Sequence, residues 1–287
     1  MQLTNETTIK DLMRRHGLRF SKTMGQNFII NPSVCPRMAD LGGVTDAVGV
    51  LEIGPGIGVL TRELAQRARK VVALELDRGL IPLLGETLAD FDNVRVISGD
   101  AMKTDLAALL EEHFAGMRVV VCANLPYYIT SPVLMKLLED RLAVDSITVM
   151  VQKEAAARIC APFPSRQAGA ITAAVNYYSA PSVLFPVSRG SFLPAPNVDS
   201  AVIRLDVRPP IVALEDEKLF FAVVRGSFAQ RRKTVLNSIS AALGLEKSTL
   251  RSALLTAGIA ENSRAEQLSL EQFARISDAL SLLQQGG

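Results

Sequence analysis

The stretch that most restricts the fold is Val50-Leu51-Glu52-Ile53-Gly54-Pro55-Gly56-Ile57-Gly58. An apolar run breaks into three alternate glycines and then into a helical pattern over Val59 to Ala68, which predicts a strand, a tight loop and a helix start. Glycines there let the backbone take positive φ and approach a ligand closely, and a helix start offers free N–H groups to a polar partner. The spacing is looser than the Gly-x-Gly-x-x-Gly of dinucleotide sites. The loop therefore specifies close approach by backbone without naming what is approached.

Short apolar runs alternate with segments of helical period along the chain after Val48. Strands are expected over Val50 to Ile53, Lys70 to Glu75, Val94 to Ser98, Val119 to Ala123, Ser146 to Gln152 and Ala173 to Val183; helices over Leu60 to Ala68, Arg78 to Leu88, Leu106 to His113, Pro132 to Glu139 and Glu154 to Ile159. Near-continuous apolar strands alternating with helices predict a parallel, doubly wound α/β sheet. Ligands of such sheets bind at the carboxyl ends of the strands, so the polar residues that end each strand are the candidates. They are Glu52, then Glu75-Leu76-Asp77, then Gly99-Asp100-Ala101, then Asn124-Leu125-Pro126-Tyr127-Tyr128. Glu75 lies 21 residues beyond Gly54, the spacing at which an acid meets a ribose hydroxyl pair. Asp100, one strand further, is placed to accept from an adenine amine, which makes an adenosine compound the expected ligand.

NAD requires a pyrophosphate cradle that this glycine spacing lacks, and phosphoryl transfer from ATP is disfavoured because Gly-x-x-x-x-Gly-Lys-Ser/Thr is absent. S-adenosylmethionine needs close backbone approach, an acid for ribose and an acid or amide for adenine, and it fits the set. Asn124-Leu125-Pro126-Tyr127 then suits methylation of an exocyclic base amine. Two acceptors, the Asn124 side-chain oxygen and a carbonyl of the Leu125-Pro126 turn, would hold the amine protons and localise the nitrogen lone pair. Tyr127 would stack on the base.

Composition sets the wider limits. With 287 residues, 48% hydrophobic and 21% charged, the chain supports a sizeable core and two domains. A net charge of +2 supplies no bulk attraction to nucleic acid, so such a partner must be argued from local clusters. Cys35, Cys122 and Cys160 are odd in number and widely spaced, as in a protein with reduced thiols. With only His16 and His113 no metal is expected. The polar N-terminus and the absence of an eighteen-residue apolar window predict a cytoplasmic protein without a membrane partner.

Basic clusters do occur. Thr7 to His16 reads as an amphipathic helix, and the arm over residues 1–24 carries Lys10, Arg14, Arg15, Arg19 and Lys22, either as a solvated surface or as a strip for phosphates. Asn31-Pro32-Ser33 begins a helix to about Leu41. After Val202 to Val207, Arg208-Pro209-Pro210 makes a stiff linker, and Asp216 to Leu283 is of helical period. Two domains follow: a catalytic domain over residues 1–207 and a helical RNA-binding domain over 208–287. In the latter Arg225, Arg231, Arg232, Lys233, Lys247 and Arg251 outnumber nearby acids, and a groove between the domains is the expected RNA-backbone contact.

The chain resembles the bacterial small-subunit rRNA adenine-N6,N6-dimethyltransferases of the KsgA type over nearly its whole length. The resemblance rests on Gly25-Gln26-Asn27-Phe28, the Glu52 to Gly58 loop, Glu75, Gly99-Asp100-Ala101, Asn124 to Tyr128, Gln152-Lys153-Glu154 with Arg158, Phe192 to Ser200, and Phe228-Ala229-Gln230-Arg231-Arg232-Lys233. It implies a Rossmann-like class I S-adenosylmethionine-dependent methyltransferase sheet with a smaller all-α C-terminal domain. It further implies dimethylation of N6 on two adjacent adenosines in a loop near the 3′ end of 16S rRNA, within a small-subunit assembly intermediate, by a monomer. Asn27, Ile29, Gly54, Glu75, Asp100 and Asn124 would contact the methyl donor. Asn124 and Tyr127 would hold the target base, Phe192 would supply the opposite stacking face, and Arg231, Arg232 and Lys233 would contact RNA. Ile29 stands where leucine is common, and Phe163-Pro164-Ser165-Arg166-Gln167-Ala168-Gly169 departs from the family's tyrosine-glycine pair. The alternatives are methylation of adenine in large-subunit rRNA and a methyltransferase-like RNA-binding assembly factor; intact Glu75, Asp100 and Asn124 argue for retained chemistry.

Overall fold

The computed structural model describes residues 1–20 and 25–285; Lys22 of the basic arm lies outside them. In chain order the first elements are α1 (Glu6–Arg15), β1 (Phe28–Ile29), α2 (Val34–Leu41), β2 (Val48–Ile53), α3 (Val59–Ala65), β3 (Lys70–Glu75), α4 (Leu80–Thr87), β4 (Val94–Ser98), α5 (Leu106–Phe114), β5 (Arg118–Asn124), α6 (Thr130–Glu139) and β6 (Ser146–Gln152). They are followed by α7 (Lys153–Ile159), α8 (Ala170–Tyr178), β7 (Ser179–Val187), β8 (Phe192–Leu193), β9 (Ser200–Val207), α9 (Glu217–Phe228), α10 (Val235–Leu243), α11 (Lys247–Thr256) and α12 (Leu270–Gln285).

Seven strands form one sheet in the order β4-β3-β2-β5-β6-β9-β7. The pairs β2–β3, β2–β5, β3–β4 and β5–β6 are parallel, whereas β9 runs antiparallel to β6. The sheet is thus mostly parallel rather than wholly so. All six residues of β2 are buried, as a central strand covered on both faces requires. Within this sheet the chain starts at β2, moves out through β3 and β4, and returns to β5. That reversal opens a crevice between β2 and β5 at their carboxyl ends.

The chain divides into two compact units: one from Met1–Ala156 with Pro181–Val207, the other from Ala157–Ala180 with the residues from Arg208 onward. The chain passes from one unit to the other at Val207. Residues 157–180, expected in the first domain, pack instead with the helical part. Two aromatic clusters explain this. Phe163 lies 6.3 Å from Phe228 and 6.2 Å from Phe273 between ring centroids, and Tyr177 and Tyr178 pack against Phe220 and Phe221 at 5.4 to 5.6 Å.

One strand assignment fails. Residues 173–178, expected to begin a strand over Ala173 to Val183, belong to α8, and the strand that follows is β7. The helix is alanine-rich and buried on nearly every side, so it shows no amphipathic period. The Gly169 N–H donates to Thr172 Oγ1 at 2.9 Å and fixes its first turn. A short apolar run of this kind reads as either element from sequence.

Candidate active site

A cavity of about 350 Å³ lies at the carboxyl edge of the sheet, within the first unit. Asn27, Ile29, Gly54, Glu75, Asp100, Asn124 and Tyr127 all line it. The glycine loop takes the backbone shape its sequence allows: Gly54, Gly56 and Gly58 have φ of +72°, +61° and +90°, values that cost a residue with Cβ about 1–2 kcal/mol. A Cβ built on Gly54 would meet no atom within 4 Å. The space beside its backbone is therefore open.

Glu75 braces this loop. Its Oε2 accepts from the Gly56 N–H at 3.1 Å and its Oε1 from the Asp77 N–H at 2.7 Å, which leaves further lone pairs for a ligand hydroxyl. Burial raises its pKa, with the Asp77 charge adding to the effect, while these N–H donors pull the other way. Glu52 differs. It is 1% exposed, its Oε2 has no hydrogen-bond partner, and burial pushes its carboxyl up to about 8 despite the nearby Thr61 hydroxyl. That hydroxyl lowers the value without making a hydrogen bond of ordinary geometry.

Asp100 accepts the Met102 N–H at 2.9 Å through Oδ1, and its Oδ2 lies 3.9 Å from the Lys103 ammonium. At the end of β5, Asn124 donates from Nδ2 to the Asn27 carbonyl at 3.4 Å. The donation orients the side-chain oxygen as the remaining acceptor. The Pro126 carbonyl is occupied, taking the Ile129 N–H at 3.1 Å and the Thr130 hydroxyl at 3.3 Å. Of the two carbonyls in the Leu125-Pro126 turn, Leu125 is therefore the better candidate to accept from a target amine. Tyr127 shares a 2.6 Å hydrogen bond with the Ser200 hydroxyl, and burial raises its pKa. Its ring is thus fixed at one end.

Not every expected residue reaches the cavity. Phe192 is 3% exposed, belongs to the core of the first unit and pairs by backbone with Ile29; it does not line the cavity. A stacking role would require the ring to leave that core. Its visible contribution is to hold β1, which carries Ile29 into the wall. Gln26, Ser200 and Tyr128 belong to motifs quoted from the sequence, which assigned none of them a partner. Gln26 donates to Asp77 at 3.1 Å, Ser200 anchors Tyr127 across 73 positions, and Tyr128, 61% exposed, borders the cavity. The Gly25-Gln26-Asn27 and Tyr127-Tyr128 motifs offered a signal for the first and last, whereas the Phe192 to Ser200 motif gives no sign that its final serine meets Tyr127.

The basic residues sort differently from their sequence grouping. In the arm, Lys10 pairs with Glu6 at 2.6 Å, Arg14 with Asp11 at 2.7 Å, and Arg15 with both Asp11 at 3.0 Å and Glu86 at 2.7 Å. Much of its charge is locally neutralised. In the second unit Arg231, Arg232 and Lys233 are exposed and have no acidic partner among the described residues. Arg231 also donates to the carbonyls of Arg166 and Ala168. Among the described residues no helix is long and apolar enough to cross a membrane, and no group of three or more His, Cys, Asp or Glu is placed to hold a metal ion.

A sheet of this order with its cavity at the β2–β5 reversal is the fold of the class I S-adenosylmethionine-dependent methyltransferases, and this chain is one of them. A family model described as ribosomal RNA adenine dimethylase matches residues 17–282. The chain belongs to that family. It is 48% identical over 277 residues to the ribosomal RNA small subunit methyltransferase A of Geobacillus thermodenitrificans and 45% identical over 276 residues to that of Bacillus pumilus, with 94% of each chain covered in both cases. Among solved structures it resembles the 23S rRNA methyltransferase ErmE, at TM-score 0.65 and 26% identity over 89% of this chain and 100% of that one. A dimethyladenosine transferase from Plasmodium falciparum shares the fold at TM-score 0.70 and 24% identity, over 90% and 98% of the two chains.

Proposed function

We propose that this protein dimethylates N6 of two adjacent adenosines in a loop near the 3′ end of 16S rRNA, acting as a monomer on a small-subunit assembly intermediate in the cytoplasm. The observation that carries the reading is the presence of Asn124 and the Leu125 turn in the same cavity as Gly54, Glu75 and Asp100. When bound, S-adenosylmethionine supplies an electrophilic methyl on its sulfonium. The residues present fit it: the space beside Gly54 is open to close approach, Glu75 retains lone pairs for ribose hydroxyls, and Asp100 offers a carboxylate to the adenine amine. Asn27 and Ile29 complete the wall beside Asn124.

In the first transfer Asn124 Oδ1 and the Leu125 carbonyl accept hydrogen bonds from the two N–H groups of the target amine; in the second the monomethylated amine has one N–H left to donate. The nitrogen lone pair, otherwise delocalised into the base, is thereby directed out of the ring plane. Tyr127, pinned by Ser200, supports the base, so positioning provides much of the acceleration. No strong general base is required, because the amine becomes acidic as the methyl arrives. The relatives named for the small subunit are 45% and 48% identical, against 26% for the large-subunit enzyme, which supports the small-subunit target. The residue roles, the domain boundary at 207 and RNA contact by Arg231, Arg232 and Lys233 belong to the same proposal.

The test supplies labelled S-adenosylmethionine with immature small subunits, mature small subunits or large subunits, and maps the modified nucleotides. Label is expected in small-subunit adenines, most strongly in immature particles. Label confined to large-subunit RNA would overturn the assignment. Asn124→Ala is expected to lower transfer by 100-fold or more, on the order of 3 kcal/mol of barrier, while RNA binding measured by filter retention stays largely intact.

A further inference from the structure

The segment Phe163 to Gly169 is held by two separate devices within the second unit. At one end the Phe163 ring packs between Phe228 and Phe273, at 6.3 and 6.2 Å. At the other, Arg231 Nη2 donates to the Arg166 carbonyl at 3.1 Å and to the Ala168 carbonyl at 3.0 Å. One nitrogen thus bridges two carbonyls on either side of Gln167. The Ala168 N–H donates to the Ser165 carbonyl at 3.0 Å and closes the turn. The tract that carries Arg231 is itself fixed: the Gln230 N–H donates to Ser238 Oγ at 3.2 Å, and the Lys233 N–H to the Gln230 carbonyl at 2.9 Å.

The clamp joins positions 65 residues apart and brings Arg166 to the neighbourhood of Arg231, Arg232 and Lys233. All four are exposed, and among the described residues none has an acidic partner. Arg251 of the same unit is paired with Glu261 at 2.8 Å. Carbonyl acceptors do not cancel the Arg231 charge, and part of its guanidinium stays available. Four neighbouring cations without counter-charge suit a polyanion, and the backbone phosphates of RNA are the polyanion this chemistry meets.

We propose that residues 163–169 form an RNA-contacting loop, in which Arg166 adds a phosphate contact to the Arg232-Lys233 tract and Arg231 is the positioning residue that holds the loop. The inference rests on the proposed function and extends its substrate surface.

The test measures affinity for an RNA fragment carrying the target loop by fluorescence anisotropy over a range of salt concentrations, with methyl transfer followed in parallel. Arg166→Ala is expected to reduce the slope of log K against log salt by about 0.7, the value of one phosphate on a single strand. Arg231→Lys, which keeps the charge but replaces the planar bridge with a point charge, is expected to lower the slope as Arg166→Ala does, and Arg166→Ala added to it should change little more. An unchanged slope for Arg166→Ala, or a wild-type slope for Arg231→Lys, overturns the proposal. Circular dichroism checks folding; should the Arg231 variant unfold, Arg166→Ala at its exposed position decides alone. Failure to label adenine would undo the functional reading, whereas an unchanged slope in an enzyme that labels adenine would undo only the loop assignment.

Discussion

Single atoms decide the chemistry at the strand ends. Glu75 spends one lone pair on Gly56 and one on Asp77, so the carboxylate that would hold ribose also shapes the loop that would approach the methionine part. Tyr127 depends similarly on Ser200, since a 2.6 Å hydrogen bond is its only polar tie among the described residues. Ser200→Ala and Tyr127→Phe each cut that tie without removing the ring, and each is expected to lower kcat several-fold with little change in the affinity for S-adenosylmethionine. The double variant should be no worse than the singles, because both remove one interaction. Additive losses in single-turnover kinetics would show that Ser200 does not work through Tyr127. Gly54, Glu75, Asp100, Asn124 and Tyr127 sit in local motifs whose spacing has a chemical reason, Asn27 and Ile29 are named by the resemblance, and all seven line one cavity. Phe192 and Ser200 share one motif, but nothing in it announces that Ser200 bonds Tyr127 or that Phe192 is buried where it pairs with Ile29.

At the scale of elements, packing between β2 and α5 sets how the central strand is covered. A Cβ built on Gly49 would lie 2.3 Å from Phe114 Cδ1 and 2.6 Å from Cε1, so this glycine exists to admit a ring, not to turn the chain. Gly49→Ala is expected to destabilise the protein by about 1–3 kcal/mol through overpacking, read as a lower midpoint in urea; a midpoint equal to wild type would show that Phe114 moves aside without cost. The inner strands β2, β3, β5 and β6 were legible because both faces are covered and apolar runs follow. The helix α8 was not, because burial on nearly every side erased its period. The short pair β1–β8 joins residues 28–29 to 192–193, and nothing within two residues of chain announces a partner so remote.

For the whole molecule, the buried Glu52 ties global stability to pH. Its folded pKa, about 8, lies above the ordinary 4.5 of an unfolded glutamate, so between these values the native state binds the proton more tightly. Stability should therefore be full below about pH 4.5 from this group and fall as pH rises toward 8, by about 1.4 kcal/mol per unit at most. Raised Glu75 acts in the same direction. Glu52→Gln keeps the neutral shape and should flatten the decline of the melting temperature between pH 5 and 8; an equally steep decline in the variant would assign the slope elsewhere. What the sequence alone determined is the α/β alternation, the loop from Gly54 to Gly58 and the order of strand-end groups, since these follow from periodicity and from the conformations that glycine and proline permit. Only tertiary structure decided that residues 157–180 join the helical unit, that Arg231 reaches two carbonyls in another segment, and that Phe192 turns into the core. Such outcomes depend on contacts between residues tens to more than a hundred positions apart, and burial and hydrogen bonding select among them only once the chain has folded.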